Sequence, residues 1–168
     1  MCSRFSTCFH SHLSRRNVVT LPLLTRRISA QGAIVEVTVT VSAMDLLAPK
    51  VERRPLLPHQ RILALADTGA NRTCLDPSVL QALDLEPAGT VQVSTPLAEA
   101  FGPRSAYKVA LVIPARVLGE SPLVFDTLEV VATELQRRFG VQALLGRDVL
   151  ERCLLVYHGP ERQFTLAY

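Results

Sequence analysis

From Gly32 onward the chain is a succession of short apolar stretches separated by turn residues, and within the stretches the period is two. Ile34-Val35-Glu36-Val37-Thr38-Val39-Thr40-Val41 is almost wholly β-branched and, from Val35, sets apolar against polar side chains, which predicts a half-buried strand. Ala48–Gln60 carries Pro49, Pro55 and Pro58 and reads as a connecting loop. Arg61–Ala66 is a short apolar run that stops at the turn signal Asp67-Thr68-Gly69-Ala70. Asp76-Pro77-Ser78 supplies an N-cap and a first-turn proline for a short helix whose apolar face is Val79, Leu80 and Leu83. Two strands follow, Thr90–Thr95 and Ser105–Ile113, with Val91/Val93 and Tyr107/Val109/Leu111/Ile113 at period two and a hairpin tip at Pro96–Arg104. Leu123–Ala132 and Ala143–Leu145 are further strands, Asp148–Arg152 is a single helical turn, and a last hairpin pairs Cys153–Tyr157 with Gln163–Tyr168. No internal repeat is visible. Many short strands with about two brief helices predict an all-β barrel or sandwich.

Composition narrows this picture. At 168 residues the chain holds one ordinary domain and not comfortably two. Its net charge of +3 invites a nucleic-acid reading, but residues 1–30 contain Arg4, Arg15, Arg16, Arg26, Arg27 and no acid. That segment carries +5, and the remaining 13 basic and 15 acidic residues leave 31–168 at −2. With 5% aromatic residues and no basic-aromatic groove pattern in the body, no nucleic-acid partner is expected. No apolar run approaches the roughly 18 residues of a membrane span. Residues 1–31 are therefore read as a basic extension without structure, followed by one domain over 32–168. The extension has the composition of a mitochondrial-type presequence, and an upstream start would produce it equally; a secretory signal fits worse, because Arg26 and Arg27 precede the only small-residue site, Ser29-Ala30. Cys2, Cys8, Cys74 and Cys153 form no CxxC or Cys/His spacing, and His10 and His12 sit in the extension. Four free thiols in a reducing, cytoplasmic setting are expected, with no metal site.

One segment has the character of a site. A carboxylate on a turn just beyond a buried strand is held rigidly at the edge of the core, and Asp67 is so placed. Gly69 allows close backbone approach, Thr68 brings a hydroxyl that donates and accepts, and Ala70 keeps the surroundings narrow. A lone Asp-Thr-Gly also reads as an Asx-turn in which Asp67 only caps a loop.

Ala64-Leu65-Ala66-Asp67-Thr68-Gly69-Ala70-Asn71-Arg72-Thr73, followed some eighty positions later by Leu144-Leu145-Gly146-Arg147-Asp148-Val149-Leu150, resembles the retroviral-type (retropepsin-like) aspartic proteases, in particular their cellular, mostly bacterial, members. The resemblance covers about Gly32 to Tyr168 and extends to the order of the elements. It implies a small closed β-barrel-like lobe with a flap hairpin and one or two short helices. It also implies a homodimer, since each chain of that family bears one Asp-Thr-Gly and two chains build one site. The sequence agrees: no second Asp-Ser/Thr-Gly is present, and Asp126-Thr127-Leu128 lacks the glycine. Asp67 of each copy would then form a dyad sharing one proton, activate a water and protonate the oxyanion of a peptide or protein substrate, without metal or organic cofactor. Thr68 would brace the aspartates across the dimer, and Gly69 would hold substrate extended.

Arg147 in that family braces the site loop and dimer contact through an acid following Asp-Thr-Gly-Ala. Here Asn71 and Arg72 follow, so a replacement pair Arg72–Asp148 is expected, or else Asp148 is the N-cap of its helix. Gly146, Arg147, Asp148 and Arg72 are accordingly the expected bracing and dimer residues. The flap tip holds one glycine and two prolines where viral members are glycine-rich; Leu97 and Phe101 are candidates for covering substrate. The resemblance places Phe164–Tyr168 in an intersubunit sheet, the alternative being a closing edge strand within one subunit. A homodimeric aspartic endopeptidase is the reading that follows; a module that dimerises or binds peptides without efficient cleavage is the alternative.

Overall fold

The computed structural model describes residues 21–46, 58–93, 102–117, 119–135 and 139–168. Strand β2 (Ile34–Val41) behaves as its pattern requires: Val35, Val37 and Val39 are wholly buried, Val41 nearly so, and Glu36 faces outward. It pairs antiparallel with β3 (His59–Ala66), Ile34 opposite Leu65 and Thr38 opposite Arg61. Its C-terminal half pairs on the other side with β6 (Gly102–Ile113), Thr38 opposite Val112. β6 continues to β7 (Leu123–Ala132), which runs parallel to the two-residue β4 (Cys74–Leu75). β4 pairs antiparallel with β8 (Ala143–Leu145), and β8 lies parallel to β3. The order β2-β3-β8-β4-β7-β6 returns to β2, so six strands close a mixed barrel.

Strand β5 (Gly89–Val93) stands outside this ring, paired only with the first residues of β6, Gly89 opposite Ala106 and Val93 opposite Gly102. The register of β6 against β7 shifts between Val109 and Leu111, an irregularity that bends the strand where it passes from hairpin arm to barrel wall. The all-β class with a closed barrel and a projecting hairpin is borne out. The second arm begins at Gly102, earlier than Ser105, so Arg104 lies in a strand, and residues 94–101 fall outside the described residues. Leu97 and Phe101 are therefore among the residues not described, as are 48–57 of the proline-rich loop, whose last two residues, His59 and Gln60, belong to β3.

The expected extension over 1–31 is corrected at its C-terminal end. Leu23–Arg27 form β1, antiparallel to β10 (Gln163–Ala167) with Leu23 opposite Ala167 and Arg27 opposite Gln163. Leu24, 5% exposed, enters the core beside Phe164 and Leu166, and this burial orders a segment whose charge alone looked like tail. Residues 1–20, with Cys2, Cys8, His10 and His12, lie outside the described residues. On its other edge β10 pairs with β9 (Leu154–His158). Both edges of β10 are therefore taken within one chain, which overturns the edge-strand alternative: the segment is the central strand of a three-stranded sheet.

Among the described residues lie the short helices α1 (Ala43–Leu46), α2 (Pro77–Ala82) and α3 (Arg147–Leu150). α2 starts as read from sequence. Asp76 Oδ1 accepts the Ser78 amide at 3.1 Å and the Ser78 hydroxyl at 2.6 Å, while Oδ2 reaches across to the Leu135 amide at 2.9 Å. Because Asp76 is 8% exposed and joins two segments, Asp76→Ala removes a cap and leaves a buried amide unpaired. A loss of about 2–3 kcal/mol is expected in chemical denaturation; a change under about 0.5 kcal/mol contradicts this role.

Candidate active site

The two motifs meet because β3 and β8 are neighbours. Ala64, Leu65 and Ala66 lie opposite Ala143, Leu144 and Leu145, and the Asp67 amide extends the ladder by one bond to the Leu145 carbonyl at 3.0 Å. Asp67 thus leaves the barrel at its rim, half-buried, with Ala70 half-buried and Thr68 and Gly69 exposed. Within the turn the Ala70 amide donates to the Asp67 carbonyl at 3.2 Å, and the Gly69 amide donates to Asp67 Oδ1 at 2.9 Å. The Asx-turn of the simpler sequence reading is therefore present. It occupies one carboxylate oxygen; among the described residues Oδ2 accepts no hydrogen bond.

Beneath the turn the second motif is locked to the first. The Arg147 amide donates to the Ala70 carbonyl at 2.9 Å. Thr73, fully buried, donates its hydroxyl to Asp148 Oδ1 at 2.8 Å and its amide to Oδ2 at 2.9 Å, and its Oγ1 accepts the Gly146 amide at 3.1 Å. Asp148 Oδ1 also accepts the Val149 amide at 2.9 Å. Gly146 is buried against the first motif so closely that a Cβ would sit 2.5 Å from the Arg72 carbonyl carbon and 2.8 Å from the Thr73 nitrogen.

These contacts correct two expectations. Arg72 does not pair with Asp148; it forms an ion pair with Glu129 of β7. Successive side chains of an extended chain leave on opposite sides, so with Thr73 turned inward to Asp148, Arg72 is directed outward to the barrel wall. Nor is Asp148 the N-cap of α3. Gly146 holds that position, its carbonyl accepting the Leu150 amide at 3.0 Å, and the Asp148 carboxylate is drawn to Thr73 instead. Arg147 Nη2 donates to Asn71 Oδ1, so an amide receives the arginine where the family resemblance implied an acid. Thr73 entered the sequence reading only as the last residue of a motif, and Glu129 not at all. A threonine amid apolar neighbours carries no signal of the carboxylate that partners it 75 positions away.

Cys74 lies among the same groups. Burial raises its thiol pKa, the charges of Asp148 and Asp67 add to the rise, and a hydrogen bond with Thr133 opposes it. Cys153 is raised to about 11, by burial first, against the Arg152 charge. Its thiol is therefore neutral through neutral pH, and ionisation of the unfolded chain comes first as pH rises; the stability that Cys153 contributes is present below about 9 and lost as pH climbs through about 11. Iodoacetamide labelling located by mass spectrometry is expected to reach Cys153 only at strongly alkaline pH; ready labelling near pH 9, where an unperturbed thiol is about half ionised, contradicts this. Among the described residues both cysteines are free, and no group of three or more His, Cys, Asp or Glu is placed to hold a metal ion. No helix among them is long and apolar enough to cross a membrane.

No family model matches the sequence, and no curated protein matches it. Among solved structures the chain is similar to the crystal structure of a retropepsin-like aspartic protease from Rickettsia conorii, at 16% identity and a TM-score of 0.49, with 89% of this chain and 93% of that one covered.

Proposed function

We propose that this chain is an aspartic-type endopeptidase whose active site forms between two copies, each contributing Asp67. The observation that carries the reading is the state of the two carboxylates at the motif crossing. Asp67 stands at the barrel rim on an exposed turn with one oxygen held by Gly69 and the other uncommitted. Asp148, the nearby acid, has both oxygens engaged by Thr73 and Val149 and is unsuited to chemistry. A second copy would supply the second reactive carboxylate, the same residue by two-fold symmetry.

Two such carboxylates a few ångströms apart hold one proton between them, because the second ionisation is opposed by the first. The ionised member takes a proton from a water lying between them, the water oxygen attacks the scissile carbonyl carbon, and the protonated member donates to the carbonyl oxygen as its charge develops. Collapse of the tetrahedral intermediate breaks the C–N bond and delivers a proton to the leaving amine. The rigid mounting of Asp67 favours this, since its backbone is fixed on both sides by β8 and α3. Thr68 and Gly69, exposed beside it, are available to the partner copy and to an extended substrate, and the β5–β6 hairpin supplies a projecting arm to close over it. No metal or organic cofactor enters these steps.

Purified protein incubated with a mixed peptide library from acidic to neutral pH is expected to generate new peptide N-termini at a limited set of bonds. Absence of product at every pH contradicts the reading and leaves a peptide-binding or dimerising module.

A further inference from the structure

We propose that the outer face of β2 and β3 is a docking trough for an acidic, extended peptide segment of a partner protein, a function separate from the chemistry at Asp67. Three adjoining cavities of about 330, 410 and 230 Å³ share one wall residue, Glu36. Around it stand four arginines: Arg26 borders the first two cavities, Arg116 the first, Arg27 the second and Arg61 the third. Among the described residues none of these four guanidinium groups takes part in an ion pair or side-chain hydrogen bond. Residues 31–168, at −2 overall, together with Arg26 and Arg27 of β1 thus present on one concave strip, among the described residues, four arginines to one glutamate. The floor is apolar where Ile34 and Leu63 line it. Glu120 and Arg116 both act on Tyr168 at the far end, so the basic character is concentrated at Arg26, Arg27 and Arg61.

The arrangement selects among anionic partners. Arginine forks bind carboxylates in bidentate fashion, and the three forks of Arg26, Arg27 and Arg61 along a trough suit a ligand whose charges are spaced along a chain. Glu36 lies midway, on the same outer face as Leu63 opposite it. It would repel the unbroken phosphate row of a nucleic acid, but it accepts the backbone N–H groups that separate the carboxylates of an acidic peptide. Among the described residues the cavity walls also contain no aromatic side chain on which a base could stack. A bilayer surface is flat and does not enter a concavity. The chain's own N-terminal segment is excluded as occupant by its charge, since residues 1–20 hold Arg4, Arg15 and Arg16 and no acid.

The test uses the full chain and a fluorescent peptide alternating Asp or Glu with Ser, read by anisotropy. Binding is expected, weakening as salt rises, with no binding of the Asn/Gln counterpart. The double variant Arg26→Gln/Arg61→Gln is expected to weaken it roughly tenfold, and Glu36→Gln to tighten it. The double reversal Arg26→Glu/Arg61→Glu, with its fold checked by circular dichroism, is expected to shift preference to a Lys/Ser peptide. Asp67→Asn is expected to bind as the parent does, which separates this result from the fate of the peptidase reading. Equal binding of the amide counterpart, undiminished binding by the double variant, or Arg26- and Arg61-dependent binding of an oligonucleotide or a phosphatidylserine vesicle in place of the peptide overturns the proposal.

Discussion

Asp67→Asn is expected to lower peptide hydrolysis by about a thousandfold or more while leaving the fold intact. Both halves follow from the geometry. An asparagine keeps an oxygen where Asp67 Oδ1 accepts the Gly69 amide, so the turn and its bond to Leu145 survive. It cannot take a proton from water, so the general base and its partner acid disappear together in the symmetric pair. Alanine is the poorer probe, because it also removes the turn acceptor and mixes loss of chemistry with loss of order. Retained thermal stability with product absent is the expected pairing. Equal product from both proteins places the activity elsewhere; unfolding of Asp67→Asn shows that the carboxylate is structural.

Gly146→Ala is expected to carry the largest stability loss of any single-methyl addition at the site. Its new Cβ would meet the Arg72 carbonyl carbon at 2.5 Å, the Arg72 oxygen at 2.7 Å and the Thr73 nitrogen at 2.8 Å, all of them backbone atoms that cannot swing aside. Relieving that overlap separates the two motifs and stretches the Gly146 amide from Thr73 Oγ1, now at 3.1 Å, in a buried setting. A cost of about 3 kcal/mol or more follows, a fall in melting temperature of roughly 10 °C. Gly69→Ala is milder, its Cβ approaching only the Asp67 carboxylate oxygen at 3.2 Å. An unchanged melting temperature for Gly146→Ala contradicts the interlock.

Much of this architecture is legible in the chain itself. A period-two run of β-branched residues places β2 to the residue, and Asp76 before Pro77 places α2, because alternation and capping are local properties. β4 is two residues long and has no period to display. β1 lies in a segment dominated by arginine charge, and only tertiary burial of Leu24 against β10 orders it. The Asp67 turn was legible as a carboxylate at a strand end. Its supports were not: Arg72 with Glu129, and Thr73 with Asp148, join residues 57 and 75 positions apart, and charge alone suggested the wrong pairing between Arg72 and Asp148.

The proposed site is shared between two copies, and mixing tests that directly. Wild-type protein is unfolded or diluted, combined with an equal amount of Asp67→Asn and reassembled at constant total concentration, and peptide cleavage is measured. A site that needs Asp67 from both copies leaves activity only in the wild-type pairs, about a quarter of the unmixed value at equal proportions, falling with the square of the wild-type fraction. A fall to about half, linear in that fraction, would mean that each chain works alone and would contradict the shared dyad.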